Sequence, residues 1–350
     1  MMLDPNNPLG LDGFAFAEFT SPTPEAMASQ FEQLGFVPAR TKADRGLTLY
    51  RQGRINLILN AAETGQARQF RDMHGASANA MGFNVVDAET AYALAIERGA
   101  TAADTSVSAL PGERAIEGIG GSLLYLTSAD PFADWDEVPG WRDAAAANTV
   151  GLDLLDHLTH NVRRGQMRVW SAFYNRIFGF EEQKYFDIKG KATGLFSQAM
   201  IAPDHAIRIP LNESQDDKSQ IEEFIRDYNG EGIQHLALTT RDIYSTVEKL
   251  RANGVRLQDT IDTYYELVDK RIAGHGEDLE RLRSNRILID GDVEEEGILL
   301  QIFTENLFGP IFFEIIQRKG NEGFGNGNFQ ALYESIELDQ IRRGVITIDA

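Results

Sequence analysis

The sequence predicts an α+β fold in which four βαβββ modules pair into two open β-barrel-like domains. A chain that repeats its own plan, and a recurring switch from strand to helix periodicity, predict it. Asp12-Gly13-Phe14-Ala15-Phe16-Ala17-Glu18-Phe19 alternates like a strand, Ser21-Pro22-Thr23-Pro24-Glu25 reads as a helix start, and Leu34-Gly35-Phe36 closes the segment. In the second half Asp156-His157-Leu158-Thr159-His160-Asn161-Val162 takes the strand's place, Trp170, Phe173, Tyr174 and Ile177 form one helix face, and Phe178-Gly179-Phe180 closes it. An offset of 144 sets Asp156 on Asp12, His157 on Gly13 and Phe180 on Phe36. A second pair runs from Met81-Gly82-Phe83 to Gly99 and from His235-Leu236-Ala237 to Gly254, where an offset of 155 sets His235 on Ala80. A strand-helix-strands module buries little alone, so paired modules should curve their sheets around a shared interior. The run from Asp130-Pro131 through Pro139-Gly140 to Ala144–Ala147 reads as a linker, which divides the chain into residues 1–145 and 146–350.

Charge and composition narrow the chemistry. The 350 residues carry 33 Lys and Arg against 53 Asp and Glu, a net charge of −20. Such a chain lacks the clustered cationic face that a phosphate backbone requires, which sets aside nucleic acid and anionic membrane. With no cysteine, disulfides, thiolate–metal sites, iron–sulfur clusters and thiol nucleophiles are excluded. Any metal must be held by His, carboxylate or amide groups. MMLDPNNPLG has neither a basic n-region nor an apolar run, and nothing later approaches about eighteen uninterrupted apolar residues, so a cytoplasmic protein is expected.

The two halves differ at their histidines. Six are present, at 74, 157, 160, 205, 235 and 275. His157 and His235 open the first strand of each module in the second half, where the aligned first-half positions have no imidazole. An acid completes the set: Gly309-Pro310-Ile311-Phe312-Phe313-Glu314-Ile315-Ile316-Gln317 is an apolar strand with a carboxylate in its middle, and Gly121-Ser122-Leu123-Leu124-Tyr125-Leu126 is its acid-free counterpart. A buried ionised carboxylate costs several kcal/mol unless it is paired or coordinated. Glu314 therefore needs a cation, either a metal or a neighbouring Arg or Lys. Two imidazoles and a carboxylate form the facial triad of non-haem ferrous oxygenases, with positions left open for substrate and dioxygen. Zinc is the competing metal, but the H-E-x-x-H helix of hydrolytic zinc sites is absent. Strand alternation turns His160 to the opposite face from His157, into a packing or hydrogen-bonding role.

These segments, with Gly232-Ile233-Gln234-His235-Leu236, Phe313-Glu314-Ile315-Ile316-Gln317-Arg318 and Gly323-Phe324-Gly325-Asn326-Gly327-Asn328-Phe329, resemble the 4-hydroxyphenylpyruvate dioxygenase family of the vicinal oxygen chelate superfamily over roughly residues 151 to 345. The resemblance implies conversion of 4-hydroxyphenylpyruvate and dioxygen to homogentisate and carbon dioxide in tyrosine breakdown. It implies a non-catalytic N-terminal domain and a catalytic C-terminal one with one Fe(II) per subunit on His157, His235 and Glu314. Ser197, Asn212, Gln220, Gln234 and Gln301 match its polar pocket, and Phe303, Phe312, Phe324 and Phe329 its aromatic walls, with Asn328 between the last two. Strand alternation alone turns Gln234 away from the His235 face. No 2-oxoglutarate, nicotinamide or flavin is implied, and a homodimer or homotetramer is expected. Thr304-Glu305-Asn306-Leu307-Phe308-Gly309-Pro310 is shorter than the corresponding stretch in many relatives.

Phe329, Leu332, Tyr333 and Ile336 follow helical spacing after the glycines of 320–327, so a terminal helix is expected, either a lid over the pocket or a helix packed on the barrel. Gly323-Phe324-Gly325-Asn326-Gly327-Asn328 lacks the dinucleotide spacing, and Asp290-Gly291-Asp292-Val293-Glu294-Glu295-Glu296 reads as a solvated hairpin turn rather than a calcium loop. The competing functions are 4-hydroxymandelate synthase, which hydroxylates the benzylic carbon of the same substrate, an extradiol catechol dioxygenase, and a metal-free binding protein of the same superfamily.

Overall fold

The protein was analysed as a computed structural model that describes residues 4–189, 194–328 and 330–332. Its first half runs β1 (Leu11–Thr20), α1 (Pro24–Gln33), β2 (Val37–Lys42), β3 (Leu47–Gln52), β4 (Ile55–Asn60), α2 (Gly65–His74), β5 (Ser77–Val85), α3 (Ala88–Glu97), β6 (Arg114–Glu117), β7 (Leu123–Thr127), β8 (Asp136–Glu137) and α4 (Trp141–Ala147). The second half runs β9 (Leu152–Val162), α5 (Met167–Phe178), β10 (Glu181–Lys189), β11 (Gly194–Ile201), β12 (Arg208–Ser214), α6 (Gln220–Asp227), β13 (Gly232–Thr240), α7 (Ile243–Ala252), α8 (Asp262–Glu266), α9 (Val268–Arg271), α10 (Leu279–Asn285), β14 (Leu288–Asp292), β15 (Gly297–Phe303) and β16 (Phe312–Lys319). Each half forms one eight-stranded mixed sheet, β6-β7-β5-β1-β4-β3-β2-β8 and β10-β11-β12-β9-β13-β16-β15-β14. In each, the opening strands of two modules pair antiparallel at the centre.

Helices cover the face of each sheet that is turned away from its interior, and one apolar core joins the halves there. Phe83 meets Phe178 and Phe180 at 5.4 and 6.2 Å, and Phe31 of α1 meets Phe308 at 5.2 Å. Asp87 and Asp242 cap α3 and α7 by accepting from the amides of Thr90 and Ser245, so equivalent helices start by the same device. The fourth module departs from the second by inserting α8, α9 and α10 before its last three strands.

Strand pairing corrects one alignment. Phe16 lies opposite Gly82 and Glu18 opposite Ala80, whereas His157 lies opposite Ala237 and Thr159 opposite His235. The offset of 155 holds for the second strand of each pair, but the first strands differ by 141, so the counterpart of His157 is Phe16 and not Gly13. The offset of 144 holds only at the helix ends, because three extra residues enter between the strand and the end of α5. Tyr125, opposite Gly82, is the counterpart of Glu314, opposite Ala237.

The first half thus carries Phe16, Ala80 and Tyr125 where the second carries His157, His235 and Glu314. The rings of Phe16 and Tyr125 are 5.5 Å apart, with Phe132 at 5.7 Å from Phe16 and Trp135 beside it. Phe132 and Trp135 come from the run that the sequence presents as a linker, which instead docks: β8 pairs with β2, and both rings are buried inside the first sheet. A Cβ on Gly82 would lie 2.5 Å from the Phe16 ring. Gly82→Ala is expected to destabilise the chain by about 1–3 kcal/mol through overpacking. Urea unfolding measures that loss, and turnover at the second-half site should stay unchanged.

Candidate metal centre

Three adjacent strands, β9, β13 and β16, bring His157, His235 and Glu314 together. Ala237 lies between His157 on one side and Glu314 on the other, while His235, two residues earlier, shares its face. Ala237 itself is fully buried against Leu299 and Ile316. One donor atom from each of the three residues lies within 4.8 Å of the others. Glu314 Oε2 is 3.2 Å from His157 Nε2 and 3.6 Å from His235 Nε2. Its Oε1 is buried with no hydrogen-bond partner among the described residues. An orphaned carboxylate oxygen beside two imidazole nitrogens fits a divalent cation.

Two β-bulges aim the imidazoles. His157 faces Ala237 while Leu155 faces Leu238, which leaves Asp156 without a counterpart. Thr159 faces His235 while His160 faces Ile233, which leaves Gln234 without one. An extra residue breaks the two-residue alternation and lets neighbouring side chains reach the same side. His157 Nδ1 donates to Asp156 Oδ1 at 2.9 Å, and His235 Nδ1 donates to Gln234 Oε1 at 3.0 Å. Each Nε2 then keeps its lone pair for the centre, with the Thr159 hydroxyl 3.0 Å from His235 Nε2. The expectation that alternation turns Gln234 away is therefore corrected by its bulge.

Burial opposes the charge on Glu314, yet hydrogen bonds and charge from His157 and His235 outweigh it and bring the carboxyl to about 2. Burial likewise opposes protonation of His157, but Asp156 and Glu314 on its two nitrogens raise it overall. At His235 burial prevails and the imidazole is lowered. Asp156 is held below the usual carboxylate range, because hydrogen bonds from Arg318 and His157 exceed the burial penalty. The charge on Glu314 is faced by the nitrogens of His157 and His235.

The centre forms the floor of a cavity of about 540 Å³. Ser197, Asn212, Gln220, Gln234, Gln301, Phe303, Phe312 and Phe324 all line it. Ser197 and Asn212 lie opposite each other on β11 and β12. Phe312 stacks on His235 at 4.8 Å, and Phe324 meets His157 edge-on at 5.3 Å. Gly325 presses on Gln301, where a Cβ would meet the side-chain oxygen at 1.9 Å. Asn328 is buried beside this segment. Its Oδ1 accepts from the Tyr264 hydroxyl at 2.6 Å, so it pins the closing segment to the inserted α8. Asp290, read as part of a solvated turn, accepts from the Gly327 amide at 2.8 Å and faces Arg271. Phe329, Tyr333 and Ile336 lie outside the described residues; residues 326–328 and 330–332 are helical, and Asn326 and Leu332 line the cavity.

Sequence reasoning missed Thr159, Pro210, Phe224 and Leu288 in the lining, and the roles of Asp156 and Arg318. The alternating face of β9 signals Thr159, two residues after His157. His160 points away as expected: its Nε2 meets the Tyr174 hydroxyl at 2.7 Å, and burial lowers it to about 3. Its folded value lies below the ordinary 6.5, so its contribution is complete above that pH and is lost as pH falls towards 3. The wild type should lose up to about 1.4 kcal/mol per pH unit through this group. His160→Gln should show a flatter urea-midpoint profile between pH 7.5 and 5, and parallel profiles would contradict the assignment.

Comparison with known proteins agrees with the geometry. Residues 5–138 match the family described as hydroxyphenylpyruvate dioxygenase, N-terminal, and residues 154–268 match the glyoxalase/bleomycin resistance protein/dioxygenase superfamily. The chain is 55% identical to a 4-hydroxyphenylpyruvate dioxygenase from Pseudomonas aeruginosa, over 98% of each chain. It is 53% identical to hemolysin VllY from Vibrio vulnificus, over 99% of each. A solved triple mutant of 4-hydroxymandelate synthase from Streptomyces coelicolor superposes with a TM-score of 0.80 at 27% identity, covering 95% of this chain and 99% of that one. Full-length identity of this order, on a chain whose two His and one Glu converge beneath a phenylalanine-walled cavity, places it in the 4-hydroxyphenylpyruvate dioxygenase family.

Proposed function

We propose that His157, His235 and Glu314 hold one Fe(II) per subunit, and that the chain converts 4-hydroxyphenylpyruvate and dioxygen to homogentisate and carbon dioxide in tyrosine and phenylalanine catabolism. The observation that carries this reading is the convergence of three donor atoms within 4.8 Å on the cavity floor. Bound there, ferrous iron supplies the activation of dioxygen that oxidative decarboxylation and ring hydroxylation need. The substrate brings its own 2-oxo acid, so no 2-oxoglutarate, nicotinamide or flavin is called for.

The chain's own groups bind and orient. Phe303, Phe312 and Phe324 wall the aromatic ring, and Ser197, Asn212, Gln220 and Gln301 offer hydrogen bonds to its polar ends. Phe324 and the segment that presses on Gln301 keep water from the centre. Asp156 and Gln234 hold the proton of each ligand imidazole on Nδ1. Residues 1–145 act as a non-catalytic partner domain to the catalytic residues 146–350, a reading supported by the apolar filling of the first sheet. Among the described residues no helix is long and apolar enough to cross a membrane, and we read the protein as a cytoplasmic homodimer or homotetramer.

Metal-stripped protein given ferrous iron and 4-hydroxyphenylpyruvate should yield homogentisate. Recovery of 4-hydroxymandelate instead would assign the chain to the benzylic reaction of the solved structural relative. His157→Ala should lower bound iron from about one per chain to near zero, measured by elemental analysis, with loss of turnover.

A further inference from the structure

Arg318 follows Glu314 by four residues on β16, so the two side chains leave the strand on one face. Four of its N–H groups are engaged. Nε and Nη2 donate to the two oxygens of Asp156 at 2.9 and 2.7 Å, and Nη1 donates to the backbone carbonyls of Asn321 and Gly323 at 2.9 and 2.7 Å. Beyond the first contact, Asp156 accepts from His157 Nδ1. Beyond the second, Phe324 lies 5.9 Å from the guanidinium and edge-on to the same His157 ring. Both paths from Arg318 end on one ligand.

We propose that Arg318 is a positioning residue that couples the metal centre to pocket closure. Through Asp156 it fixes the tautomer and plane of His157, and through two carbonyls it fixes Phe324 above that imidazole. The inference rests on the metal centre proposed for this chain. A buried ion pair adds little net stability by itself, whereas a carboxylate behind a ligand histidine sets the orientation and basicity of the ring. The planar fork is what allows one group to hold a carboxylate by two parallel bonds while two further N–H groups reach a loop, and a lysine ammonium lacks that geometry.

The test uses cobalt(II), titrated into the metal-stripped full-length chain and followed by calorimetry, together with steady-state kinetics at saturating iron. Arg318→Lys and Asp156→Asn should each weaken cobalt binding by about 10- to 100-fold. Arg318→Lys should also raise KM for 4-hydroxyphenylpyruvate, because Phe324 loses its tether. Asp156→Asn keeps the carbonyl contacts and should raise KM less. The double variant Asp156→Asn/Arg318→Met buries no unpaired charge, and it should show both effects even where a single variant fails to fold. Folded variants that bind cobalt as tightly as the wild type would overturn the coupling and leave a purely structural ion pair. A wild-type chain that takes up no cobalt would overturn the metal reading, and this inference with it.

Discussion

The site depends on a carboxylate that has been taken out of water. Glu314 is 3% exposed on a strand whose neighbours Phe313 and Ile315 are fully buried, and an uncompensated charge there would cost several kcal/mol. Everything around it answers that cost. His157 and His235 present nitrogens to one oxygen, while the other oxygen has no hydrogen-bond partner among the described residues. Asp156 then compensates His157, and Arg318 compensates Asp156. Charges of alternating sign run from the centre to the segment that closes the pocket.

Duplication shows how little of the fold is specific to this chemistry. Seven strands follow the same order in both sheets, with the eighth added at opposite edges, β8 beside β2 and β14 beside β15, and both keep the bulges: Ala15 and Asn79 are the unmatched residues of the first half, as Asp156 and Gln234 are of the second. In the first half the bulges aim Phe16 and Ala80 into a packed interior shared with Tyr125, Phe132 and Trp135. In the second the same backbone aims two imidazoles, and the equivalent of Gly82 is Ala237, buried between His157 and Glu314 against Leu299 and Ile316. One scaffold carries Phe16, Ala80 and Tyr125 in its first copy and two imidazoles with a carboxylate in its second.

Periodicity made the modules legible, and the contrast between halves made His157, His235 and Glu314 legible, because a buried carboxylate and paired imidazoles are chemically conspicuous in an apolar strand. Bulges were not legible. A single inserted residue leaves no mark on hydrophobic alternation, so alternation alone turns Gln234 away from the pocket and a uniform offset sets His157 on Gly13 instead of Phe16. The contact of Asn328 with Tyr264 was not legible either: Tyr264 lies in an insertion with no counterpart in the second module, and only the tertiary arrangement brings residues 264 and 328 together. Phe132 and Trp135 sit in a stretch whose prolines and alanines suggest a linker, while two large rings decide that it docks.

A crystal structure of the cobalt- or iron-loaded chain, with the ion located by its anomalous scattering, tests the central claim most directly. One ion per chain is expected, bound by Nε2 of His157, Nε2 of His235 and a carboxylate oxygen of Glu314 at about 2.0–2.2 Å, with Asp156 still on Nδ1 of His157. An ion coordinated by Asp156, or an ion found elsewhere with Glu314 left on its two histidines, would contradict the account.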